Sequence, residues 1–432
     1  MERRTFILTS GATALQTQLA AGANERVNVA VVGARSRGRD HIDIFARQPG
    51  SVVAAICDID NAQTERGIAL AEKAQTVKPK AFQDYRKVLD DKSIDAVSLA
   101  TCNHWHALGA IWACQAGKDV YVEKPASHNV WEGRKMIEAA AKYARIVQVG
   151  TQGRSLDHRQ KAVELLQQGA IGKVYLAKGL CYKRRKSIGK SPDGAVPAGV
   201  DYSQWLGPAP MRPFNANRFH YNWHWFWDTG SGDIGNQGVH EMDMALWGLG
   251  KASLPKKVHS SGGKFVYDDD QETPNTLVST FDYDDCQLTF EVRGLLTGGE
   301  SSIAFDGANF IGNLFYGADG FLAIDSTGFQ LYLGEKRELT RSMKPTEPRV
   351  WDTEPHVANF LSCVRSRKMA DLRAPIEVGH VSASMCHLAN ISYRLGRQLW
   401  FDPAAENFGA DYEANQMLSR DYRAPFVVPE SV

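Results

Sequence analysis

A doubly wound, parallel α/β sheet followed by an α+β domain on a large open, mostly antiparallel sheet is the fold class this sequence predicts. Three observations carry it. Short apolar runs alternate with helical stretches up to residue 149, and the first run leads straight into a glycine turn. Beyond residue 256 the runs become rich in Val, Thr, Phe and Tyr and lie close together. At 432 residues two domains are expected. The 50 Lys+Arg against 49 Asp+Glu leave no basic surplus, which argues against nucleic acid as the main partner. No apolar run approaches the roughly 20 residues of a membrane span.

The first 23 residues read as an address. Arg3-Arg4-Thr5-Phe6-Ile7-Leu8 resembles a twin-arginine export signal, and Ala21-Gly22-Ala23 a small-residue cleavage site. Export to the periplasm by the twin-arginine route is therefore expected, with a cytoplasmic protein as the alternative. That route carries folded proteins, so a cofactor can be loaded first. The seven scattered cysteines, without a CxxC, fit reduced thiols better than a disulfide framework.

Residues 27–33 form a near-continuous apolar strand entering Gly33-Ala34-Arg35-Ser36-Arg37-Gly38. A helix follows, then a second strand over 52–57 ending in Asp58. Strands over 95–100, 119–122 and 146–149 continue the alternation, with a helix over 104–116 between the third and fourth. Asn129, with Glu132 three residues on, caps a helix over 130–143. After Gly150 come a helix near 159–168, a strand over 174–182 and a basic, Gly/Pro-rich loop to about Pro213. Strands are expected over 257–266, 275–282, 287–293, 302–305 and 320–324, with Asp284-Asp285 as a hairpin turn. Helices near 356–366 and 378–395 precede a tail. The expected division is 1–23 signal, 24–150 dinucleotide-binding domain, 151–400 substrate domain and 401–432 a tail packing on both.

Asp58 lies 20 residues beyond Gly38, the interval at which a dinucleotide fold places its ribose-binding acid. Gly33 and Gly38 hold the first and third glycine positions, while Arg35 stands at the second, where a guanidinium can meet phosphate instead. A carboxylate at Asp58 accepts ribose hydroxyls and repels a 2′-phosphate, favouring NAD over NADP. Asn103-His104-Trp105-His106 and Glu123-Lys124-Pro125 each end an apolar run, where a parallel sheet presents ligands.

These residues carry a resemblance to the Gfo/Idh/MocA oxidoreductases, sugar and cyclitol dehydrogenases with a Rossmann domain and an open-sheet C-terminal domain. It covers roughly residues 26 to 400, and Glu123-Lys124-Pro125 is its most specific motif. Thr101-Cys102-Asn103-His104-Trp105-His106 is similar to the family's T-P-(N/D)-x-x-H segment, with Cys102 for proline. Gly150-Thr151-Gln152-Gly153-Arg154 resembles G-x-N-x-R, with Gln152 for asparagine. Asn236-Gln237-Gly238-Val239-His240-Glu241-Met242-Asp243 resembles D-x-x-x-H-x-x-D, with Asn236 where many members carry an acid. The resemblance implies that Lys124 sits beside the nicotinamide and the reacting hydroxyl, where burial and cofactor charge lower its pKa. It then manages the proton while hydride leaves the same carbon. Gly33, Arg35, Ser36, Arg37, Gly38, Asp58, Thr101, Asn103, His106, Glu123, Lys124 and Gln152 are the expected NAD-binding residues.

His240 is the second proton-handling candidate. On one helix it would share a face with Asn236 and with Asp243, which could orient the imidazole; the bland alternative is a hydrogen-bonded core histidine. The segment from His220 to Asp228 is the densest in aromatics, suited to the C–H faces of a sugar ring as well as to core packing. Expected substrate contacts are Lys124, Arg154, Tyr182, Tyr221, Trp223, His224, Asn236, His240 and Asp243. The basic run Lys183-Arg184-Arg185-Lys186 either meets an anion or is a solvated face. His220 and His224 have an i, i+4 spacing, but without HExxH or a thiolate pair no metal is expected.

The resulting expectation is an exported NAD-dependent oxidoreductase acting on a secondary hydroxyl, C3 being one option, of a sugar, cyclitol or glycoside. The cofactor would be tightly bound and recycled, the partner a small carbohydrate, and the assembly a homo-oligomer (dimer or tetramer). Two rivals stand beside it: an NAD-assisted glycoside hydrolase working by oxidation and elimination, and a non-catalytic sugar or nucleotide sensor. A glycosidase branch resembling this family lacks the Glu-Lys-Pro lysine, which favours the dehydrogenase.

Overall fold

A computed structural model describes residues 26–298, 309–346 and 353–432. The export-type segment and the strand expected over 302–305 lie outside them. The first domain alternates β1 (Val27–Val32), α1 (Arg37–Arg47), β2 (Ser51–Cys57), α2 (Asn61–Ala71), β3 (Lys80–Phe82), α3 (Tyr85–Asp90), β4 (Ala96–Leu99), α4 (Asn103–Gln115), β5 (Asp119–Val122), α5 (Val130–Lys142) and β6 (Val147–Val149). Its six strands are parallel in the order β3-β2-β1-β4-β5-β6. The strand order reverses between β1 and β4, which opens a crevice at their carboxyl ends. The strands read as continuous apolar runs because helices cover both faces of the sheet. Ala30, Val32, Val97 and Leu99 face α4 and α5, while Val29, Val31 and Ala96 face α1 and a later helix. Asn129 caps α5 as expected, its side chain accepting from the Glu132 N–H at 2.8 Å.

The second domain opens with a 3-10 turn over Gln152–Ser155 and α6 (Asp157–Gln167), then β7 (Val174–Lys183). A long connection holds α7 (Tyr202–Leu206) and a 3-10 turn at Asn222–Trp225; α8 (Gly232–Asn236) and α9 (Gly238–Leu249) follow. The sheet is completed by β8 (Lys257–Gly263), β9 (Thr276–Asp282), β10 (Gln287–Arg293), β11 (Asn309–Gly317), β12 (Gly320–Asp325), β13 (Gly328–Leu333), β14 (Glu338–Met343) and the short β15 (Leu399–Trp400). Among the described residues nine strands run in the order β14-β13-β12-β11-β7-β10-β9-β8-β15, and of these only β7 and β10 pair in parallel. The Asp282–Gln287 pair closes the hairpin around Asp284-Asp285. One face buries Leu277, Phe281, Leu288, Phe290 and Phe315 beneath α6, α9 and α11 (Ile376–Leu395). Strand alternation puts Leu180 and Tyr182 on the other face, with Phe310 and Leu314.

The chain then returns to the first domain. Val357, Phe360 and Leu361 of α10 (Thr353–Ser366) pack with Val27, Val29, Val31 and Phe45. Ile376 and Ala383 of α11, with Phe426, Val428 and Val432, join the cluster that holds Trp105, Ile111 and Val122. A short α12 (Tyr412–Gln416) lies in this terminal stretch. Among the described residues no helix is long and apolar enough to cross a membrane.

Candidate active site

The crevice at the ends of β1, β2, β4 and β5 opens into a cleft of about 310 Å³, closed on its far side by the long connection of the second domain. Gly33, Arg35, Ser36, Arg37, Asp58, Thr101, Asn103, His106, Glu123 and Lys124 line it from the first domain. Tyr221, Trp223, His224 and Asn236 line it from the second. Gly33 has φ +84°, and a Cβ there would lie 2.6 Å from the Ala100 carbonyl, so only glycine allows β1 to turn so close to β4. Gly38 is set back from the cleft. Its bare Cα meets the Gly33 carbonyl, where a Cβ would come within 1.8 Å, so it packs the turn rather than touching a ligand.

Asp58 stands where β2 ends. Oδ2 accepts the Ala34 N–H at 2.7 Å and Oδ1 the Asp60 N–H at 2.9 Å. Burial pushes its pKa up to about 6 in spite of these bonds. Each oxygen keeps a lone pair for a ribose hydroxyl. Arg35 is exposed at the mouth, and the Thr101 hydroxyl is buried without a partner among the described residues. A dinucleotide fits these features: bare backbone at Gly33, a cation at the mouth, an orphan hydroxyl and an acid at the far end.

Glu123 and Lys124 follow β5. The Glu123 Oε1 atom accepts from Arg37 Nε (2.8 Å), His41 Nε2 (3.0 Å) and Gln152 Nε2 (3.0 Å). Burial pushes this carboxyl up, but the Arg37 charge and the His41 hydrogen bond outweigh it and hold the pKa well below the usual range. Lys124 Nζ donates to the Asn236 carbonyl at 2.8 Å and to its Oδ1 at 3.4 Å. Burial, aided by the charges of Arg37, Lys183 and Arg185 against that of Glu123, brings its pKa down to about 8. A lysine so placed exchanges a proton near neutrality.

Several expectations need correction. Gln152 does not line the cleft; it stands behind Glu123, also donating to the Tyr121 hydroxyl at 3.1 Å. His106 lines the cleft as expected, with its two ring nitrogens facing the carbonyls of Pro125 at 2.7 Å and Thr101 at 3.1 Å, so it also props up the Lys124 turn. Tyr182 is not at the site. Period-two alternation turns it to the opposite sheet face, where it donates to Glu291 at 2.7 Å. Asn236 ends α8 while His240 and Asp243 lie on α9; Gln237 between them keeps helical dihedrals, yet Asn236 lines the main cleft and the other two do not. Asp243 does not orient His240; its carboxylate is taken by Arg154 at 2.8 and 3.0 Å. His240, Arg154 and Asp243 line a second, smaller cavity instead. Burial and the Lys124 charge hold His240 well below the ordinary histidine range, so it is neutral at pH 7.

The aromatic segment divides in two. His224 stacks on Trp223 at 3.6 Å between centroids and points into the cleft, while Trp225 lies under Arg185 at 5.1 Å. Sequence reasoning missed His41, although it sits one helical turn after Arg37 on α1. It also missed the Arg185–Asp233 pair at 2.6 and 2.9 Å, for which the basic run was the signal. Arg184 and Arg185 are used internally: Arg184 meets Tyr267 and the Arg185 and Gly294 carbonyls. His220 lines the cleft too, its Nε2 3.4 Å from Asp60. Among the described residues no group of three or more His, Cys, Asp or Glu could hold a metal ion.

Comparison with known proteins gives two family matches. Residues 27–151 match "Oxidoreductase family, NAD-binding Rossmann fold", and residues 173–428 match "Oxidoreductase family, C-terminal alpha/beta domain". An alpha-N-acetylgalactosaminidase of Shewanella oneidensis is 32% identical over 120 residues, 27% of this chain and 26% of that protein. The uncharacterized oxidoreductase YrbE of Bacillus subtilis is 29% identical over 242 residues, 56% of this chain and 59% of the relative. The match thus spans about a quarter to three fifths of these curated relatives. The structure of a levoglucosan dehydrogenase in complex with NADH and L-sorbose shares the fold at TM-score 0.66 and 16% identity, covering 87% of this chain and 99% of that one.

Proposed function

Since the chain belongs to the Gfo/Idh/MocA oxidoreductase family, with an NAD-binding Rossmann domain, we propose that it oxidises or reduces a secondary hydroxyl of a sugar, cyclitol or glycoside. One observation carries this reading: Lys124, with its pKa near 8, stands where the cofactor crevice meets the aromatic wall of the second domain. NAD, when bound, supplies the acceptor for the hydride. Asp58 holds the adenosine ribose, Asn103 and the Thr101 hydroxyl the inner end, and Lys124 takes the hydroxyl proton. Glu123, fixed by Arg37, His41 and Gln152, keeps the lysine amine in place electrostatically. Trp223 and His224 offer a flat wall for a sugar ring. His240, being neutral, serves as a hydrogen-bonding ring and not as a titrating base.

The cofactor is read as tightly held and recycled. Residues 199–201 of the second domain bridge to the end of β2. Asn61 N–H donates to the Gly199 carbonyl at 3.1 Å and Asp201 N–H to that of Ile59 at 2.9 Å. Retention of this kind suits the exported location read from Arg3-Arg4. The test is mass spectrometry of gently denatured protein for released nicotinamide, followed by a glycoside panel scored for keto products and free aglycone. Absence of nicotinamide together with absence of any keto product would defeat the proposal.

A second reading, glycosidic cleavage by transient oxidation and elimination, is favoured by the 120-residue similarity to the Shewanella glycosidase. Free aglycone without net NADH in the same panel would establish it.

A further inference from the structure

The amine of Lys124 has acids close by, yet neutral oxygens are what it touches. Nζ donates to the Asn236 carbonyl at 2.8 Å and to Asn236 Oδ1 at 3.4 Å, and among the described residues it forms no ion pair. The Glu123 carboxylate is spent on Arg37, His41, Gln152 and the backbone N–H of Lys124. Asp233 of α8, the other acid near this wall, is held by Arg185 at 2.6 and 2.9 Å. The Asn236 side chain bridges the two. Its Oδ1 faces the lysine and its Nδ2 faces Asp233 Oδ1 at 3.5 Å, the one orientation that sets no donor against a donor. At 8% exposed, the amide has no room to swing out to solvent.

A free lysine amine carries two N–H bonds and one lone pair. Two acceptors on a single residue take both N–H bonds, which leaves the lone pair the remaining direction. Lys124 and Asn236 both line the main cleft. We propose that Asn236 is the positioning residue of Lys124: its two oxygens fix the amine without lending it a counter-charge, and turn the lone pair of the free base into the cleft. A carboxylate in the same place would hold the proton back. The other groups that act on this amine come from several elements. Glu123, on its own turn, raises its pKa, while Arg37 of α1, Lys183 of β7 and Arg185 behind it lower it. His106, His224 and His240 face it from α4, the 3-10 turn and α9, each held below the usual histidine range by burial. The inference rests on the oxidoreductase reading of this cleft.

The test reads the amine itself. Full-length, NAD-loaded protein is pulsed with trace acetic anhydride from about pH 6 to about pH 10, and acetylation of Lys124 is read by peptide mass spectrometry against the exposed Lys73. The lone pair attacks the anhydride carbonyl, a C–N bond forms, acetate leaves, and one N–H proton passes to water. Lys124 should become reactive with a midpoint of about 8. Asn236→Asp, equal in shape, should raise that midpoint by about one pH unit or more and so cut the free amine at pH 7 about tenfold. Asn236→Leu, close in shape and uncharged, should not raise it, but should lower the limiting reactivity about threefold or more, since one N–H is no longer held. If Asn236→Asp does not fold, the limiting reactivity of Asn236→Leu decides. A midpoint unmoved by the acid, an equal rise in the leucine variant, an unchanged limiting reactivity there, or a Lys124 inert at every pH while Lys73 reacts would overturn the proposal. Acetylation is independent of turnover. The expected shifts with no alcohol oxidised would therefore support the positioning role while defeating the dehydrogenase reading.

Discussion

Single side chains set the chemistry here through two displaced titrations. Lys124 is drawn down to about 8 chiefly by burial. Oxidation needs the neutral amine as acceptor, so its rate should climb with pH up to about 8 and level off, and the reverse reduction should fall over the same range. Lys124→Ala should cost on the order of 10²–10⁴ in kcat with NAD still bound, measured by single-turnover absorbance and by released nicotinamide. A variant keeping most of its activity would remove the lysine from the mechanism. Asp58 moves the opposite way, up to about 6. Its folded pKa exceeds the unfolded one, so the ionised acid costs stability, and that cost appears as pH rises from about 4 through 6. The ribose hydroxyls call for the carboxylate, so NAD affinity should fall as pH drops below about 6, and Asp58→Asn should flatten that dependence. Asp58→Ala should also narrow the preference for NAD over NADP; wild type that binds NADP as well as NAD would refute the assignment.

Strands and helices decide which of these residues meet. The β1 turn, β2 end and β5 end were legible because a parallel sheet buried on both faces gives unbroken apolar runs, and the residue after each run falls at the crevice. Lys124, Asp58, Asn103 and Arg37 were found in this way. The rest depended on information a linear pattern does not hold. Tyr182 required knowing which face of β7 meets the helices. The expected grouping of Asn236, His240 and Asp243 failed because Asn236 turns to the main cleft while the other two line a separate cavity, a split that residue spacing does not show. Short edge strands such as β3, and β11, whose polar Asn309 and Asn313 interrupt its apolar run, escaped for lack of a clean alternation. The cap on α5 offers a check at this scale. Asn129→Ala should destabilise the fold by about 1 kcal/mol in denaturant titration, and a change near zero would mean that Glu132 satisfies the helix start unaided.

Across the whole molecule, the cleft is made by contact between the domains. The Gln83 side chain donates to the carbonyls of Ile59 (3.0 Å) and Gly199 (3.1 Å), tying the second domain's connection to the first. Gln83→Ala should release NAD several-fold faster in a stopped-flow chase; an unchanged rate would show that this tie does not gate the cofactor. The return of the chain has a different consequence, one of timing. Val357 and Phe360 complete one side of the first sheet, while Phe426, Val428 and Val432 join the other. A growing chain therefore emerges from the ribosome with β1 to β6 and their own helices made but with part of each apolar face still uncovered. The nucleotide-binding half, first to be synthesised, is among the last to close, and its assembly waits on residues more than 300 positions downstream of β2.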